Sequence, residues 1–315
     1  MNSDFKIIQY LPLTRARATR RFLNKLDKNS VQAILDLEDS AQDPFDIKRT
    51  NVLKKEARDG LLKISESFDN SFKSNIFIRI NAMNSHYFDD DIHTVIASAK
   101  KGMPITGIFL PKTENHESIF ELVKLFRRES IDLEIVPMIE TKKGYENLSK
   151  ILLNEKGLDL FSKVHYGHFD YCLDSELWPF PDPYHTEYWN IITPIMDLLE
   201  EHGKTYIHTP FPFPDDKDLF WSSQGHIYDL KPNLEFWACT LNLELSLSKD
   251  PQNLKKMELI EINHNQDYQA DEAKIIIEDY YNGRASKRSF GMSSSRFIPP
   301  HQVFAAQEYL KRISK

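Results

Sequence analysis

Cysteine is almost missing from this 315-residue chain: Cys172 and Cys239 stand far apart and fit no metal-binding or redox spacing. So few thiols exclude a disulfide scaffold and are most simply matched by a reducing cytoplasm. Long apolar runs are also missing, since none approaches the roughly 20 residues needed to span a bilayer. The opening MNSDFK lacks the charged and apolar regions of a signal peptide. The expectation is a cytoplasmic protein with no membrane partner. Nor is there a surplus of positive charge: the net charge of −7 arises from interspersed residues of both signs, which argues against nonspecific nucleic-acid binding. Finally, no HxH, HExxH or CxxC pattern favours zinc, and no internal repeat is visible.

What the chain does have is rhythm. Eight short apolar runs read FKIIQYLP, QAILDLED, IFIRIN, GIFLPK, EIVPMIE, KVHYGHFD, TYIHTP and ELIEIN, and they are separated mostly by stretches with helical periodicity. Strands alternating with helices predict βαβ units and a parallel sheet. Eight of them predict an α/β fold closed as a (β/α)8 TIM barrel, whose strand ends converge on one active-site mouth. The predicted barrel domain spans 1–266, with a C-terminal helical appendage over 267–315. HESIFELVKLFRRES and EYWNIITPIMDLLEEHGK carry apolar residues at three- and four-residue steps, as amphipathic helices require. ELWPFPDPYHTEYW is too rich in proline for regular structure; it reads as a shaped loop at the mouth, either a lid or hydrophobic cover for the rim. The cluster Arg15, Arg17, Arg20 and Arg21 reads as the solvated face of the first helix or as a handle for a phosphate-bearing substrate.

Several runs end in residues suited to chemistry. Glu140 closes the fifth and Asp170 the sixth, and adjacent parallel strands lie about 5 Å apart, so the two carboxylates are candidate ligands for one cation. Two carboxylates with water and substrate oxygens in the remaining positions suit Mg2+. A helix cap explains either acid taken singly; the pair, joined by Glu38 and Asp39 on a third strand, favours function. Four acids at one rim repel one another unless cations neutralise them. Arg79, inside IFIRIN, is either paired within the barrel or aimed at an anionic substrate. Lys112 either supports the site from behind or pairs with one of the acids. His168 is a candidate substrate contact on the same side of its strand as Asp170, although a lone barrel histidine is more often structural.

These same residues carry a family resemblance. ILDLEDS around Glu38 and Asp39, IRIN at Arg79, FLPKTE at Lys112, PMIETKKG at Glu140 and GHFDYCLD with Asp170 and Asp174 resemble the citrate lyase β-subunit-like and malyl-CoA lyase proteins of the HpcH/HpaI aldolase superfamily. The order and spacing agree from about residue 30 to 175. The resemblance implies a barrel that binds Mg2+ through Glu140 and Asp170, with Arg79 holding the substrate. It further implies formation or cleavage of a carbon–carbon bond beside a carboxylate, often with an acyl-CoA partner, in a homo-oligomer of three or more subunits. Asp174 matches a second acid of the family's pattern, though a helix cap is its simpler role.

The chain also departs from the pattern. YLPLTR stands where the family has a VPG-like turn, and INHNQ around His264 only echoes an IHP motif. Near the C-terminus the family's lyases carry an MID motif whose aspartate can complete a neighbouring subunit's site. Here the stretch reads FIPP, with Pro299 in the acid's place, and proline cannot transfer a proton. The expectation is a Mg2+-dependent carbon–carbon lyase acting on a small carboxylic or keto acid or its CoA thioester. In it Arg79 stabilises developing charge, Glu38 and Asp39 position water or shuttle a proton, and Lys112 and His168 contact the substrate; the general base is unassigned. The alternatives are another enolate-forming barrel enzyme of the pyruvate-aldolase type, and a ligand-binding homologue that has lost turnover.

Overall fold

The computed structural model describes residues 6–66, 68, 72–155, 160–249, 256–285, 290–293 and 296–314. Strands and helices alternate along the chain: β1 (Lys6–Pro12), α1 (Ala16–Asp27), β2 (Gln32–Asp36), α2 (Ile47–Ser65), β3 (Ile76–Arg79), α3 (Phe88–Lys100), β4 (Ile105–Leu110), α4 (His116–Arg128), β5 (Glu134–Ile139) and α5 (Lys142–Glu155). Then follow β6 (Lys163–Tyr166), α6 (His168–Asp174), α7 (Thr186–Glu201), β7 (Thr205–Pro210), α8 (Lys217–Leu230), β8 (Phe236–Thr240) and the single turn α9 (Leu243–Ser246). The eight strands pair in sequence order, all parallel, and β8 returns to β1 to close a barrel. Among the described residues no helix is long and apolar enough to cross a membrane.

The helices form where the sequence pattern places them. In α4, Asn115 accepts the backbone N–H of Ser118 at 3.0 Å and fixes the start. Ile119, Leu122, Val123 and Phe126 then bury one face against the sheet. Inside the barrel the two-residue period of the strands builds a second core from Tyr10, Ile34, Phe77, Phe109, Met138 and Trp237, among others. Two positions beyond Ile34, Phe77 and Met138 come Asp36, Arg79 and Glu140. The inward row therefore changes from apolar to charged as it reaches the C-terminal mouth.

The eighth strand corrects the expectation from sequence. FWACT (Phe236–Thr240) closes the barrel, whereas ELIEIN lies outside it and forms only an isolated bridge between Ile260 and His185. The reason is burial: a parallel barrel strand is covered on both faces, and every residue of β8 is buried. ELIEIN mixes acids with apolar residues, and its Ile260 is 56% exposed.

Beyond the barrel come α10 (Gln266–Ala285), a two-stranded antiparallel sheet of β9 (Gly291–Ser293) and β10 (Arg296–Ile298), and α11 (Pro300–Ile313), and the two strands and the start of α11 line the mouth. Ion pairs and backbone bonds fasten them there. Arg284 grips Asp43 at 2.6 Å, Arg296 meets Asp182 at 2.9 Å, and Phe297 donates its N–H to the Pro212 carbonyl at 2.8 Å. The proline-rich loop after α6 is part of this packing: Phe180 is buried beneath Ala305 of α11.

Candidate active site

A cavity of about 830 Å3 opens at the C-terminal ends of the strands, lined among others by Tyr10, Arg79, Glu140, Asp170, Phe297 and His301. The turn after β2 supplies its acids. Asp36 is the hub of that turn: one carboxylate oxygen accepts the Glu38 N–H at 2.9 Å and the other the Ser40 N–H at 2.9 Å. The register sets Asp36 directly opposite Arg79 on β3. Arg79 donates to it in bidentate fashion, Nε at 2.8 Å and Nη2 at 2.6 Å. Burial alone would raise the pKa of Asp36, but the Arg79 charge and these hydrogen bonds hold it below its ordinary value. Nη1 of Arg79 remains, and it reaches Glu38 at 3.0 Å and Asp39 at 2.9 Å.

Beneath the turn lies a buried lysine. Lys54 Nζ donates to the carbonyls of Leu37 at 3.1 Å and Glu38 at 2.7 Å, and to Asn81 Oδ1 at 2.6 Å. Burial lowers its pKa, and the surrounding acids oppose that shift. The backbone that presents Glu38 and Asp39 is thus held rigidly from the core.

On the opposite side of the mouth Glu140 is 1% exposed. Its Oε1 accepts the backbone N–H of Lys112 at 2.9 Å, where Lys112 adopts φ +52°. A lysine in left-handed backbone conformation at a cavity is strain held in place by its surroundings. Glu140 Oε2 lies against Gly167, where an added Cβ would come within 2.4 Å, so only glycine leaves room for the carboxylate. Burial pushes the Glu140 pKa well up, and the charges of Asp170 and Glu38 push it further, against Lys112 and Arg79.

Asp170 stands in the first turn of α6 rather than at the end of β6, which stops at Tyr166. The strand alternation that paired it with His168 therefore does not apply. His168 turns into aromatic packing, with Nε2 bonded to the Pro181 carbonyl at 2.7 Å and Nδ1 to the Tyr166 hydroxyl at 3.2 Å. Asp170 meets Lys112 Nζ at 3.1 Å through one oxygen and His301 Nε2 at 3.2 Å through the other. Burial would raise its pKa, but His301 and Lys112 bring it well below the usual carboxylate range. Burial likewise opposes the charge on His301, yet Asp170 carries its pKa up to about 9. Asp174 accepts the Lys142 N–H at 2.8 Å at the start of α5. Of the basic cluster on α1, Arg15 reaches the cavity mouth, while Arg17 and Arg21 are exposed.

The site thus brings together Glu38, Asp39, Arg79, Lys112, Glu140 and Asp170. Sequence reasoning passed over three residues. Asp36 and Lys54 lay in plain view, the former on the inward row of β2. His301 had no periodic signal, because it arrives from the appendage two residues after Pro299.

The balance of charge has a measurable consequence. Burial and then Asp39, with a further contribution from Asp170, push the Glu38 pKa from 4.5 to about 8 against the pull of Arg79. A carboxyl whose folded pKa is raised lends stability below its unfolded pKa, and that contribution is lost as pH rises through the folded value. In metal-free protein, Glu38→Gln is expected to lose less melting temperature than the parent between about pH 5 and about pH 9. Parallel losses in the two proteins would show that Glu38 is not the group responsible.

Comparison with known proteins places this geometry. The sequence model of the HpcH/HpaI aldolase/citrate lyase family matches residues 24–191, more than half of the chain. A curated relative, the citrate lyase subunit beta-like protein of Deinococcus radiodurans, is 26% identical over 99 residues; the match covers 31% of each chain, so it spans under a third of that relative's length. Among solved structures, the Haloferax volcanii malate synthase in a pyruvate/acetyl-CoA ternary complex superposes with a TM-score of 0.73 at 13% identity, covering 99% of this chain and 92% of its own. CitE from Mycobacterium tuberculosis, in complex with magnesium, acetoacetate and coenzyme A, gives 0.59 at 14% identity with both chains fully covered. At such identities the structural likeness carries the fold.

Proposed function

The chain belongs to the HpcH/HpaI aldolase/citrate lyase family, and from that premise we propose that it is a Mg2+-dependent carbon–carbon lyase acting on a small carboxylic or keto acid. The observation that carries this reading is the charge deficit around Glu140. Glu140 shares one cavity with Asp170, and its ionised form is disfavoured first by burial and then by the charges of Asp170 and Glu38. A divalent cation beside Glu140 would favour its ionised form and offset the repulsion among these acids. The glycine that makes room for Glu140 Oε2 fits the same role. Glu140 and Asp170 would hold the ion, which when bound supplies Lewis acidity towards the substrate's carboxylate and neighbouring oxygen.

The chain's own residues do the rest. Arg79 has its fork closed on Asp36, so it offers only Nη1 to the cavity; it stabilises negative charge at that edge while keeping Glu38 and Asp39 oriented. Lys112, 43% exposed at its side chain, adds a second positive charge beside Asp170. Glu38, poised near neutrality, is suited to accept and return a proton. In the cleavage direction it takes the proton of the substrate hydroxyl; the alkoxide oxygen forms a new carbonyl as the carbon–carbon bond breaks, that bond's electron pair leaves as an enolate on the carbon beside the other carbonyl, and Glu38 returns the proton to that carbon. Complexes of the M. tuberculosis relative with magnesium and acetoacetate, pyruvate or oxaloacetate support this substrate class.

Purified protein screened against short keto and hydroxy acids, with and without CoA thioesters, is expected to turn over at least one of them. Exhaustive chelation should abolish that turnover and added Mg2+ restore it. Turnover untouched by chelation would remove the metal from the mechanism. Tight binding without turnover would favour the ligand-binding alternative.

A further inference from the structure

Resting on the reading of this mouth as a divalent-metal site, we propose that His301 is a direct ligand of the ion, sharing it with Asp170 and Asp39, and that the site therefore prefers a first-row ion such as Mn2+ to Mg2+. The chain around Pro299 brings the His301 imidazole into the cavity, beside the carboxylates of Asp39 and Asp170. Among the described residues, Asp39, Asp170 and His301 are the acid and histidine groups that gather as three, each offering one donor atom within 4.8 Å of the others. Donor atoms about 2.1 Å from an ion lie about 3 Å apart when adjacent in an octahedron and about 4.2 Å when opposite. The 3.2 Å between His301 Nε2 and Asp170 Oδ2 matches an adjacent pair.

The imidazole is built into this position. Pro299 and Pro300 fix the entry to α11, and Val303, Ala305 and Ala306 bury the face of the helix behind it. The appendage is fastened to the barrel through Arg284–Asp43 and Arg296–Asp182. The second ring nitrogen, Nδ1, is buried with no hydrogen-bond partner among the described residues. Among the described residues the ring's polar tie is to the Asp170 carboxylate at the mouth. Lys112 engages the other oxygen of Asp170, so both can reach Asp170 at once. A nitrogen donor suits first-row transition ions better than it suits Mg2+, and Mn2+ is the member of that series whose affinity for oxygen still matches the two carboxylates.

The test uses the full-length protein stripped of metal. Calorimetry is expected to show Mn2+ bound about tenfold or more tightly than Mg2+, with His301→Gln bringing the two close to parity. Electron spin-echo spectroscopy of the Mn2+-loaded protein should show directly coordinated nitrogen whose isotope pattern changes when histidine is labelled with 15N. That signal should vanish in His301→Gln. Mn2+ that binds and is lost in Asp170→Asn, yet shows no nitrogen coupling in the wild type, would overturn the proposal and leave the metal-dependent lyase intact. Failure of both ions to bind would overturn both. Because the labelled wild-type spectrum decides the question, a His301 variant that does not fold cannot obscure the answer.

Discussion

Asp36→Ala is expected to cost about 3–5 kcal/mol of stability, because it leaves the Arg79 guanidinium buried without its bidentate partner. Arg79 is 8% exposed and Asp36 2%. Asp36 also holds the Glu38 and Ser40 N–H groups, so the turn carrying two of the site's acids would loosen at the same time. Glu38 and Asp39 cannot replace it, since both meet Nη1 and neither reaches the Nε–Nη2 edge. Denaturant unfolding checks the magnitude. A double variant, Asp36→Ala with Arg79→Met, should recover much of the loss by removing the stranded charge. If the double variant were as unstable as the sum of its parts, the penalty would lie in packing rather than in the uncompensated charge.

Glu140→Gln is expected to do the reverse: to remove function while sparing stability. The amide keeps an oxygen for the Lys112 N–H, so the strained turn at residue 112 retains its anchor. It loses the negative charge that the cavity disfavours in the absence of a cation. Metal-free protein should therefore melt at or above the temperature of the parent. Divalent-metal affinity should collapse, and turnover fall by about 1,000-fold or more, as when a preorganised charge is taken from a transition state. Calorimetry and single-substrate kinetics read these effects separately. A melting temperature well below the parent's would mark Glu140 as a structural acid, and unchanged metal affinity would remove it from the ligand set.

Much of this protein is visible in its sequence because the relevant forces are local. The barrel follows from the alternation of short apolar runs with amphipathic helices, and the strand period places Arg79 and Glu140 on the inward row. That ELIEIN was the eighth run and not the eighth strand shows where the pattern weakens. Apolar alternation fits an exposed extended segment as well as a strand, and only closure on β1 selects the fully buried FWACT. Asp170 shows the same limit on a smaller scale. The chain turns helical at His168, so the carboxylate enters the mouth from a helix and not from a strand end.

The sequence by itself determined the (β/α)8 architecture and pointed to Arg79 and Glu140 on its inward row, because period and residue type act within a few positions of one another; it did not single out Asp36, Lys54 or His301. Tertiary structure alone decided how those charges divide. It spends the Arg79 fork on Asp36, strands Glu140 among like charges, and brings His301 to Asp170 across 131 positions of chain. Such pairings depend on distance and burial in the folded molecule, and neither quantity is carried by local sequence.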